Sequence, residues 1–432
     1  MAAVSLGLAC SAAGGSSEAP GSAPSTASAG SAAPGQGGRS PAAQSATPVP
    51  AQPSGKPLTP AQLTTAYNLG PLQQLGIEGA GQTIVIVDSF GSPTIAADLG
   101  RFDSAFGLRP PASLRVIQPA GLVPAYTDNS TMSGWASETS MDVEWAHAMA
   151  PAAAIVLVET PTAETEGPAG FPQIDTALTY VLQHHLGQVI SQSFGATEET
   201  FASKAQLLSF RGPYELAQRD HVTVLAASGD DGSTGETTGM HSVFNRPVVE
   251  WPASDPLVTA VGGTELRLTT DGERAQPDIA WNEGGGGKSA IFGRPAYQDG
   301  VAGVTGSQRG IPDISLDASC ASPVAVYGSY PGGGGWQTSC GTSLATPLMA
   351  GLVALANEMA GHPLGLINPV LYKMLAARSP GLTDITAGDN AVRADDGTAT
   401  VPGFQAVPGY DLASGTGTVD AAQFVPELAR GG

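Results

Sequence analysis

The chain has 432 residues and a formal net charge of -20, from 18 Lys and Arg against 38 Asp and Glu. A surface this acidic repels phosphate, which argues against nucleic acids and anionic membranes as partners. No run reaches the roughly 18 uninterrupted apolar residues of a membrane span. The longest apolar stretch, residues 344–356, is predicted to be a buried core helix.

The N-terminal segment, residues 1–56, differs from the rest of the chain in composition. It is mostly Ala, Gly, Ser and Pro, with no aromatic residue and few charges. Such a segment cannot bury enough apolar surface to offset its ordering entropy, so it is predicted to be a disordered tether. The apolar stretch before Cys10 is similar to the end of a bacterial lipoprotein signal, with Cys10 lipidated; the alternative is an ordinary cysteine in a tail. Either interpretation predicts export, to the cell surface or the extracellular space.

From residue 57 onward, strand patterns alternate with helix patterns. Continuous apolar or β-branched runs predict strands buried on both faces, at residues 83–87, 155–158, 189–193 and 222–226. Helical periodicity predicts helices at residues 138–149, 174–185 and 201–219. No internal repeat or second linker divides residues 57–432. The sequence therefore predicts one α/β domain, with helices on both faces of a parallel sheet and the functional site at the carboxyl ends of its strands.

Three local patterns carry side chains suited to catalysis. A loop of small residues delivers Ser343 to the start of an apolar helix, where free N–H groups favour developing negative charge. Glu138 and Asp142 are four residues apart on a predicted helix, so their carboxylates share one face and, if buried, would share a proton. A predicted strand also runs into a turn that contains Asp230. Each pattern alone has a structural explanation, as a helix cap, a solvated helix face or a turn aspartate.

Together, and in this order along the chain, the patterns resemble the sedolisins, the serine-carboxyl peptidases of the subtilisin-like superfamily. The helix start GTSLATP at residues 341–347 and the segment VISQSFG at residues 189–195 are similar to the family's nucleophile helix and substrate-pairing strand. The resemblance spans residues 57–425. It implies a subtilisin-like fold with a single catalytic domain and an endopeptidase that works in acid.

The resemblance also implies individual roles. Ser343 would be the nucleophile, Glu138 its general base, Asp142 the partner that polarises Glu138, and Asp230 the donor to the oxyanion. A Glu still accepts a proton below pH 5, where a His is already charged, and an Asp donates only when protonated, so this set is suited to acid. Asp88, at the end of the first strand, is expected to be a supporting or structural residue.

Two further sites follow from the resemblance. Ser193, Phe194 and Gly195 would pair with the substrate backbone. One structural calcium ion would be held near the C-terminus by carboxylates and main-chain carbonyls, the hard oxygen ligands that Ca²⁺ prefers. Its ligands would be Asp384 and Asp411 with the carbonyls of Ile385, Val407 and Gly409.

The remaining cysteines leave two alternatives open. A disulfide between Cys320 and Cys340 would suit an exported protein, and two free buried thiols are the other possibility.

The leading hypothesis is an exported, calcium-stabilised acid endopeptidase, expected to be a monomer that acts on proteins or peptides. One rival is a sedolisin-fold surface protein that binds peptides or a partner without cleaving them. The other is a neutral subtilisin-type hydrolase that uses Asp88 and His147.

Overall fold

The structure, a computed structural model, describes residues 56–240, 242–393 and 399–431. Cys10 and almost all of the predicted tether lie outside the described residues. The strands among these residues are, in chain order, β1 (Thr83–Ser89), β2 (Leu114–Ile117), β3 (Ala154–Thr160), β4 (Val189–Gln192), β5 (Ala196–Thr197), β6 (Thr223–Ala227), β7 (Glu250–Trp251), β8 (Thr259–Glu265), β9 (Ile279–Ala280), β10 (Gly287–Gly293), β11 (Gln308–Ile311), β12 (Ile314–Asp317), β13 (Val324–Gly328), β14 (Gly335–Ser339), β15 (Leu382–Thr383), β16 (Val392–Arg393), β17 (Ala399–Val401) and β18 (Thr418–Val419).

The α-helices in the same part of the chain are α1 (Pro60–Ala66), α2 (Gly70–Gln74), α3 (Ile95–Phe106), α4 (Ser130–Met149), α5 (Phe171–Gln183), α6 (Lys204–Leu208), α7 (Gly212–Arg219), α8 (Ala302–Thr305), α9 (Thr342–Ala360), α10 (Asn368–Ala377) and α11 (Ala421–Gly431). Short 3₁₀ helices cover Glu198–Thr200 and Ala296–Val301.

A parallel sheet forms the centre of the fold, with the strand order β12-β8-β6-β4-β1-β3-β2. Each neighbouring pair in this order is parallel, and β9 adds to β8 as an antiparallel eighth strand. The four predicted strands are confirmed as β1, β3, β4 and β6. The chain builds β2 and β3 on one side of β1 and then crosses to β4 on the other side. In open parallel sheets, a crevice for ligands opens beyond the carboxyl ends of the strands at such a crossing.

Helices cover the sheet on both faces, as predicted. In β1, Ile84 and Ile86 belong to the hydrophobic core shared with α3, α4, α9 and α11, whereas Val85 and Val87 belong to the core shared with α5 and α7. Successive side chains of a strand point to opposite faces, so a strand with both faces covered has to be apolar at every position. The continuous β-branched run that predicted β1 is a direct consequence of this double burial.

The central helix α9 lies in the middle of the core. It is the one helix among the described residues that is long and apolar enough to cross a membrane, and 78% of its most apolar window is buried inside the fold. It packs beside α4, so the helix that carries Glu138 and Asp142 is next to the helix that carries Ser343. This packing brings together residues that are about 200 positions apart in the chain.

All three predicted helices differ from the structure in their bounds, α5 (Phe171–Gln183) by only two to three residues at each end and the other two by more. Helix α4 begins at Ser130 rather than at residue 138, because the Asn129 side chain accepts a hydrogen bond from Met132 N and caps a start that is rich in Ser and Gly. The single helix predicted for residues 201–219 is two helices, α6 and α7. Pro213 cannot donate a backbone hydrogen bond inside a helix, and it lies instead in the first turn of α7.

Cys320 and Cys340 are joined by a disulfide, with their Cα atoms 5.1 Å apart. The two residues flank the β13–β14 hairpin, and Cys340 comes three positions before Ser343. The alternative of two free thiols does not apply to this structure.

Candidate active site

The candidate residues from all three local patterns meet at the carboxyl edge of the sheet. Asp88 lies near the end of β1, Ser193 follows β4 directly, and Asp230 lies three residues beyond β6. Glu138 comes from α4 and Ser343 from the first turn of α9. Parallel strands bring their carboxyl ends to one edge, which explains why short loops after different strands converge here.

Asp88, Glu138 and Asp142 form a group of three buried carboxyls, called the carboxyl trio below. None is more than 6% exposed. Burial, together with the negative charge of Asp88, raises the pKa of both Glu138 and Asp142 well above the usual carboxyl values. Burial raises the pKa of Asp88 to about 7. Carboxyls that are buried together repel one another when ionised, so the trio retains protons at pH values where isolated carboxyls have lost them.

Ser193 connects the trio to the helix of Ser343. Its hydroxyl lies 2.9 Å from Asp142 Oδ1 and 3.1 Å from the carbonyl oxygen of Ser343. One hydroxyl proton serves only one acceptor at a time. The Ser193 proton is therefore shared between Asp142 and the Ser343 carbonyl, and as a donor to Asp142 it lowers the pKa of that carboxyl. The Ser193 side chain thus contacts the trio, which the sequence analysis did not foresee, while the pairing of its backbone with a substrate stays a prediction.

The Ser343 carbonyl is available for this contact because of Pro347. In an α-helix the carbonyl of residue 343 would accept from the N–H of residue 347, but proline has no N–H. Pro347 lies inside α9, so the carbonyl accepts from Ser193 instead. The Ser343 hydroxyl lies 3.3 Å from the carbonyl oxygen of Ser193, and as a donor it also lowers the pKa of Glu138.

Asp230 is held against the start of the same helix. Its Oδ1 accepts hydrogen bonds from Thr342 N at 2.8 Å and from Thr342 Oγ1 at 2.7 Å. Residue 341 is glycine with a φ of 116°, and a Cβ there would lie 2.6 Å from Asp230 Oδ2. A larger residue at position 341 would therefore displace the carboxyl. Burial raises the pKa of Asp230, although the two bonds from Thr342 oppose this.

A cavity of about 90 Å³ opens beside Ser343 and Asp230. The predicted substrate-pairing residues Ser193, Phe194 and Gly195 line one wall. One water molecule requires roughly 10–15 Å³ of such space, so the cavity can admit the end of an extended side chain. The cavity thus lies directly beside the Ser343 side chain.

The predicted calcium segment has both carboxylates facing one loop. Asp384 Oδ2 accepts from Gly409 N, and Asp411 Oδ2 accepts from Val407 N, each at 2.9 Å. Within the described residues, no hydrogen bond reaches the carbonyls of Ile385, Val407 and Gly409. No group of three or more His, Cys, Asp or Glu side chains in the described ranges could hold a metal. The two carboxylates and the three unbonded carbonyls are oxygen donors of the kind that Ca²⁺ prefers, although Asp411 Oδ1 already accepts from Ala413 N and Ser414 N.

The rival site built on His147 is not formed. His147 Nε2 lies 2.9 Å from the carbonyl oxygen of Arg109 and 3.2 Å from Asp103 Oδ1. Its partner is therefore Asp103 rather than Asp88, and a neutral Ser-His-Asp arrangement has no support here.

Known proteins share this architecture. A sequence profile of the Subtilase family matches residues 119–377. Kumamolisin from Bacillus sp. (strain MN-32) is 32% identical over 374 residues, which cover 83% of this chain and 61% of kumamolisin. The solved structure of Pseudomonas sedolisin, a serine-carboxyl proteinase complexed with two molecules of pseudo-iodotyrostatin, is similar with a TM-score of 0.71 and 26% identity, over 87% of this chain and 98% of that one. The chain belongs to the sedolisin family.

As a sedolisin-family protein, the chain corresponds to only part of its curated relatives. It spans 61% of the length of kumamolisin and 59% of sedolisin from Pseudomonas sp. (strain 101), to which it is 27% identical over 364 residues.

Three functional candidates in this sedolisin-family site were missed by sequence analysis. Glu164, Glu166 and Glu250 all line the cavity beside Ser343. Glu164 and Glu166 could have been found from their spacing Glu-x-Glu just after β3, because residues in that position lie at the carboxyl edge of the sheet. Nothing local marks Glu250, which reaches the cavity only through the folding of the chain.

Proposed function

We propose that the chain is a serine-type endopeptidase that hydrolyses protein or peptide substrates in acid. The observation that carries this proposal is the convergence of Ser343, the carboxyl trio and Asp230 at one edge of the sheet. Residues 57–432 would form the peptidase domain.

In the proposed mechanism, Ser343 Oγ attacks the carbonyl carbon of the scissile peptide bond and Glu138 takes up its proton. Asp142 then shares the proton on Glu138. Asp88 is a third carboxyl with which the same proton can be shared. Protonated Asp230 donates to the oxyanion that forms on the substrate. Glu138 then returns the proton to the leaving amine, and a water molecule repeats the sequence to release the acyl group from Ser343.

A limited pH range of activity follows from the protonation states that this mechanism needs. The trio has to lose one proton so that Glu138 can act as a base, while Asp230 has to keep its proton to donate. Activity should therefore rise with the first ionisation of the trio and fall when Asp230 ionises. Because the trio titrates as a group, the lower limb of the pH profile belongs to all three carboxyls.

A binding protein without catalytic activity is the alternative. It would need a groove for a peptide, but it would not need a hydroxyl beside a proton-holding trio or a carboxyl placed at the helix start. The Ser343 hydroxyl bonds to Glu138, Asp142 accepts from Ser193, and Asp230 accepts from Thr342 at the start of the Ser343 helix, an arrangement that supports catalysis.

The proposal is tested by following hydrolysis of an unstructured protein substrate from pH 2.5 to 8, beside Ser343→Ala. We expect a maximum in acid that the variant lacks. Products cut at internal positions would identify an endopeptidase. Stepwise release of tripeptides would instead identify an exopeptidase and contradict this part of the proposal. No cleavage by a folded sample at any pH would favour the binding protein.

We also propose that one structural calcium ion binds at Asp384 and Asp411. When bound, calcium would cross-link the segment after β15 to the 407–411 loop and neutralise two carboxylates. A ligand that binds only the folded state at 100 times its Kd adds about 2.7 kcal/mol to the free energy of unfolding. We expect a chelator to lower the Tm of the protein but not that of Asp384→Asn/Asp411→Asn. Equal metal content in both proteins would place the ion elsewhere.

Export remains a proposal that rests on the tether and Cys10. Intact-mass measurement on membrane fractions tests it, since lipidation at Cys10 adds the mass of acyl chains. An unmodified Cys10 in those fractions would contradict a lipid anchor and leave a secreted form.

A further inference from the structure

The cavity beside Ser343 is lined by acidic side chains from three separate segments. Glu164 and Glu166 come from the loop after β3, and Glu250 comes from β7. Asp231 and Glu236, from the segment after β6, also line it. Among the described residues on its walls there is no Lys, Arg or His. The cavity is thus strongly electronegative, and it directly adjoins the proposed nucleophile.

The Glu250 carboxylate lies between two segments of the proposed site. A Cβ on Gly195 would lie 2.6 Å from Glu250 Oε2, and a Cβ on Gly229 would lie 2.8 Å from Glu250 Oε1. Gly195 belongs to the proposed substrate-pairing segment, and Gly229 precedes Asp230. Both positions have to lack a side chain for the carboxylate to reach this place. Glu250 is therefore built into the wall of the cavity between the two segments that would contact substrate.

Glu164 lacks a partner in this cavity. Only 7% of the residue is exposed, and its Oε1 accepts no hydrogen bond within the described residues. Glu166, in contrast, has a hydrogen-bond partner, because its Oε2 accepts from Thr197 N at 2.9 Å. A buried, unbonded carboxylate is costly unless it is protonated or paired with a cation. Glu164 therefore needs either a proton or a positive partner that enters the cavity.

The electrostatics of this acidic group agree with its geometry. Burial, followed by the charge of Glu164, raises the pKa of Glu166 to about 9. Burial also raises the pKa of Glu164, with Glu250 and Glu236 adding to the effect. For Glu250, burial comes first, and Glu166, Asp231, Asp230 and Glu236 add to it. In the free protein the group holds protons that a cation would displace.

We propose that Glu164, Glu166 and Glu250 form a specificity pocket that selects a substrate with Lys or Arg on the amino side of the scissile bond. The proposal rests on the proposed peptidase function and adds the substrate class. An organic cation suits the pocket better than a metal ion, since no acidic group in the described ranges is arranged to hold a metal.

Selection by this pocket should depend on pH in a defined direction. A basic side chain stabilises the ionised carboxyls, so its binding lowers their pKa and releases protons to solvent. At pH 3 the pocket has to ionise against a high proton concentration, and each pH unit below the pKa of the occupied pocket weakens binding about tenfold for each proton released. The preference for a basic residue should therefore be large near pH 6 and small at pH 3.

The test uses matched peptides that differ at one position. Lysine is compared with norleucine, and arginine with citrulline, because each pair differs mainly in charge. We expect kcat/KM at pH 6 to favour the basic peptide by about 30-fold or more, the range for pairing a buried charge. The preference should shrink at pH 3. Glu250→Gln and Glu164→Gln should each reduce it, chiefly by raising KM for the basic peptide, whereas exposed Glu273→Gln should not change it.

A binding measurement separates this proposal from the peptidase proposal. The same peptides are titrated into Ser343→Ala in two buffers of different ionisation heat, so that affinity and proton release are both measured. Tighter binding of the lysine peptide with proton release supports the pocket even if no peptide is cleaved. Equal cleavage or equal binding of lysine and norleucine peptides overturns the pocket but leaves a measured peptidase activity intact.

Discussion

The protein contains two groups of buried carboxyls within one site, and they differ in what surrounds them. The trio of Asp88, Glu138 and Asp142 is enclosed, and hydroxyl groups approach it. The cavity group of Glu164, Glu166 and Glu250 faces a space that a ligand can enter. Burial raises pKa values in both. The same physical cause would thus serve proton transfer where a hydroxyl faces the carboxyls, and the proposed selection of a cation where a cavity faces them.

The sharpest test of this difference removes one charge from each group. Glu138→Gln keeps the shape of the trio but removes the proposed base, so kcat should fall about 10²–10⁴-fold for every peptide. Glu250→Gln should change the ranking of peptides instead. Steady-state kinetics on the lysine and norleucine peptides measure both effects.

Glu144→Gln is the matched control for Glu138→Gln. Glu144 lies on the same helix, is fully buried, and accepts a hydrogen bond from Tyr327 N at 3.0 Å, which a Gln oxygen can also accept. Its activity should stay near that of the parent protein. Equal losses in both variants would mean that the helix, and not the base, had been disturbed.

Asp230 lies between the two groups, and after burial, which is the main cause, its charge adds to the raised pKa of both Glu138 and Glu250. Asp230→Ala removes the proposed donor to the oxyanion, and kcat should fall about 10²–10³-fold. Asp230→Asn carries a donor at every pH, so its activity should extend to higher pH than that of the parent protein. The pH profiles of kcat decide this, and an Ala variant with unchanged kcat would remove Asp230 from the mechanism.

For Asp88, the prediction concerns the free energy of unfolding at different pH values rather than the rate of hydrolysis. Its folded pKa of about 7 lies above the unfolded value near 3.9, so the folded state binds more protons between these limits. The stabilisation from this group is complete below about pH 4 and is lost as pH rises through about 7. We expect the parent protein to lose on the order of a few kcal/mol over this range, a loss that Asp88→Asn should lack.

Urea unfolding at pH 4 and pH 7 measures this difference, with exposed Asp271→Asn as the control. Parallel pH dependence in the parent protein and in Asp88→Asn would show that Asp88 ionises normally and does not belong to the trio.

The smallest effect is expected for Ser193→Ala, which removes one hydroxyl from the trio. The loss of about 1 kcal/mol for a hydrogen bond corresponds to a roughly 5-fold lower kcat/KM. The pKa of Asp142 should rise, since the Ser193 hydroxyl lowers it, and the acid limb of the profile should move to higher pH. Ser191→Ala, in β4 with no hydrogen-bond partner for its hydroxyl among the described residues, should change neither quantity.

The parts of this site that were predicted from sequence are those with a local signature. The four-residue spacing between Glu138 and Asp142 places both carboxyls on one helix face. The β-branched run at residues 83–87 indicates a strand that is covered on both faces. The start of α4 was missed because its Ser and Gly residues favour turns, and only the cap from Asn129 extends the helix to them.

The cavity group could not be predicted in the same way. Glu250 follows Glu164 by more than 80 residues and is separated from it by several strands. Its position depends on the close approach of Gly195 and Gly229, which is a property of the assembled fold. The membership of Asp88 in the trio likewise comes from packing of β1 against α4, although its place at the end of a strand was visible.

Pro347 shows that a missing atom can be part of a site. Every other residue at this position would bring an amide hydrogen, and the carbonyl of Ser343 would then have two donors competing for it. With proline the competition does not arise, and the β4 loop and the α9 helix are joined by a contact that belongs to neither element alone. The chemistry of this edge is therefore specified partly by what the backbone does not offer, and an inventory of reactive side chains would overlook it.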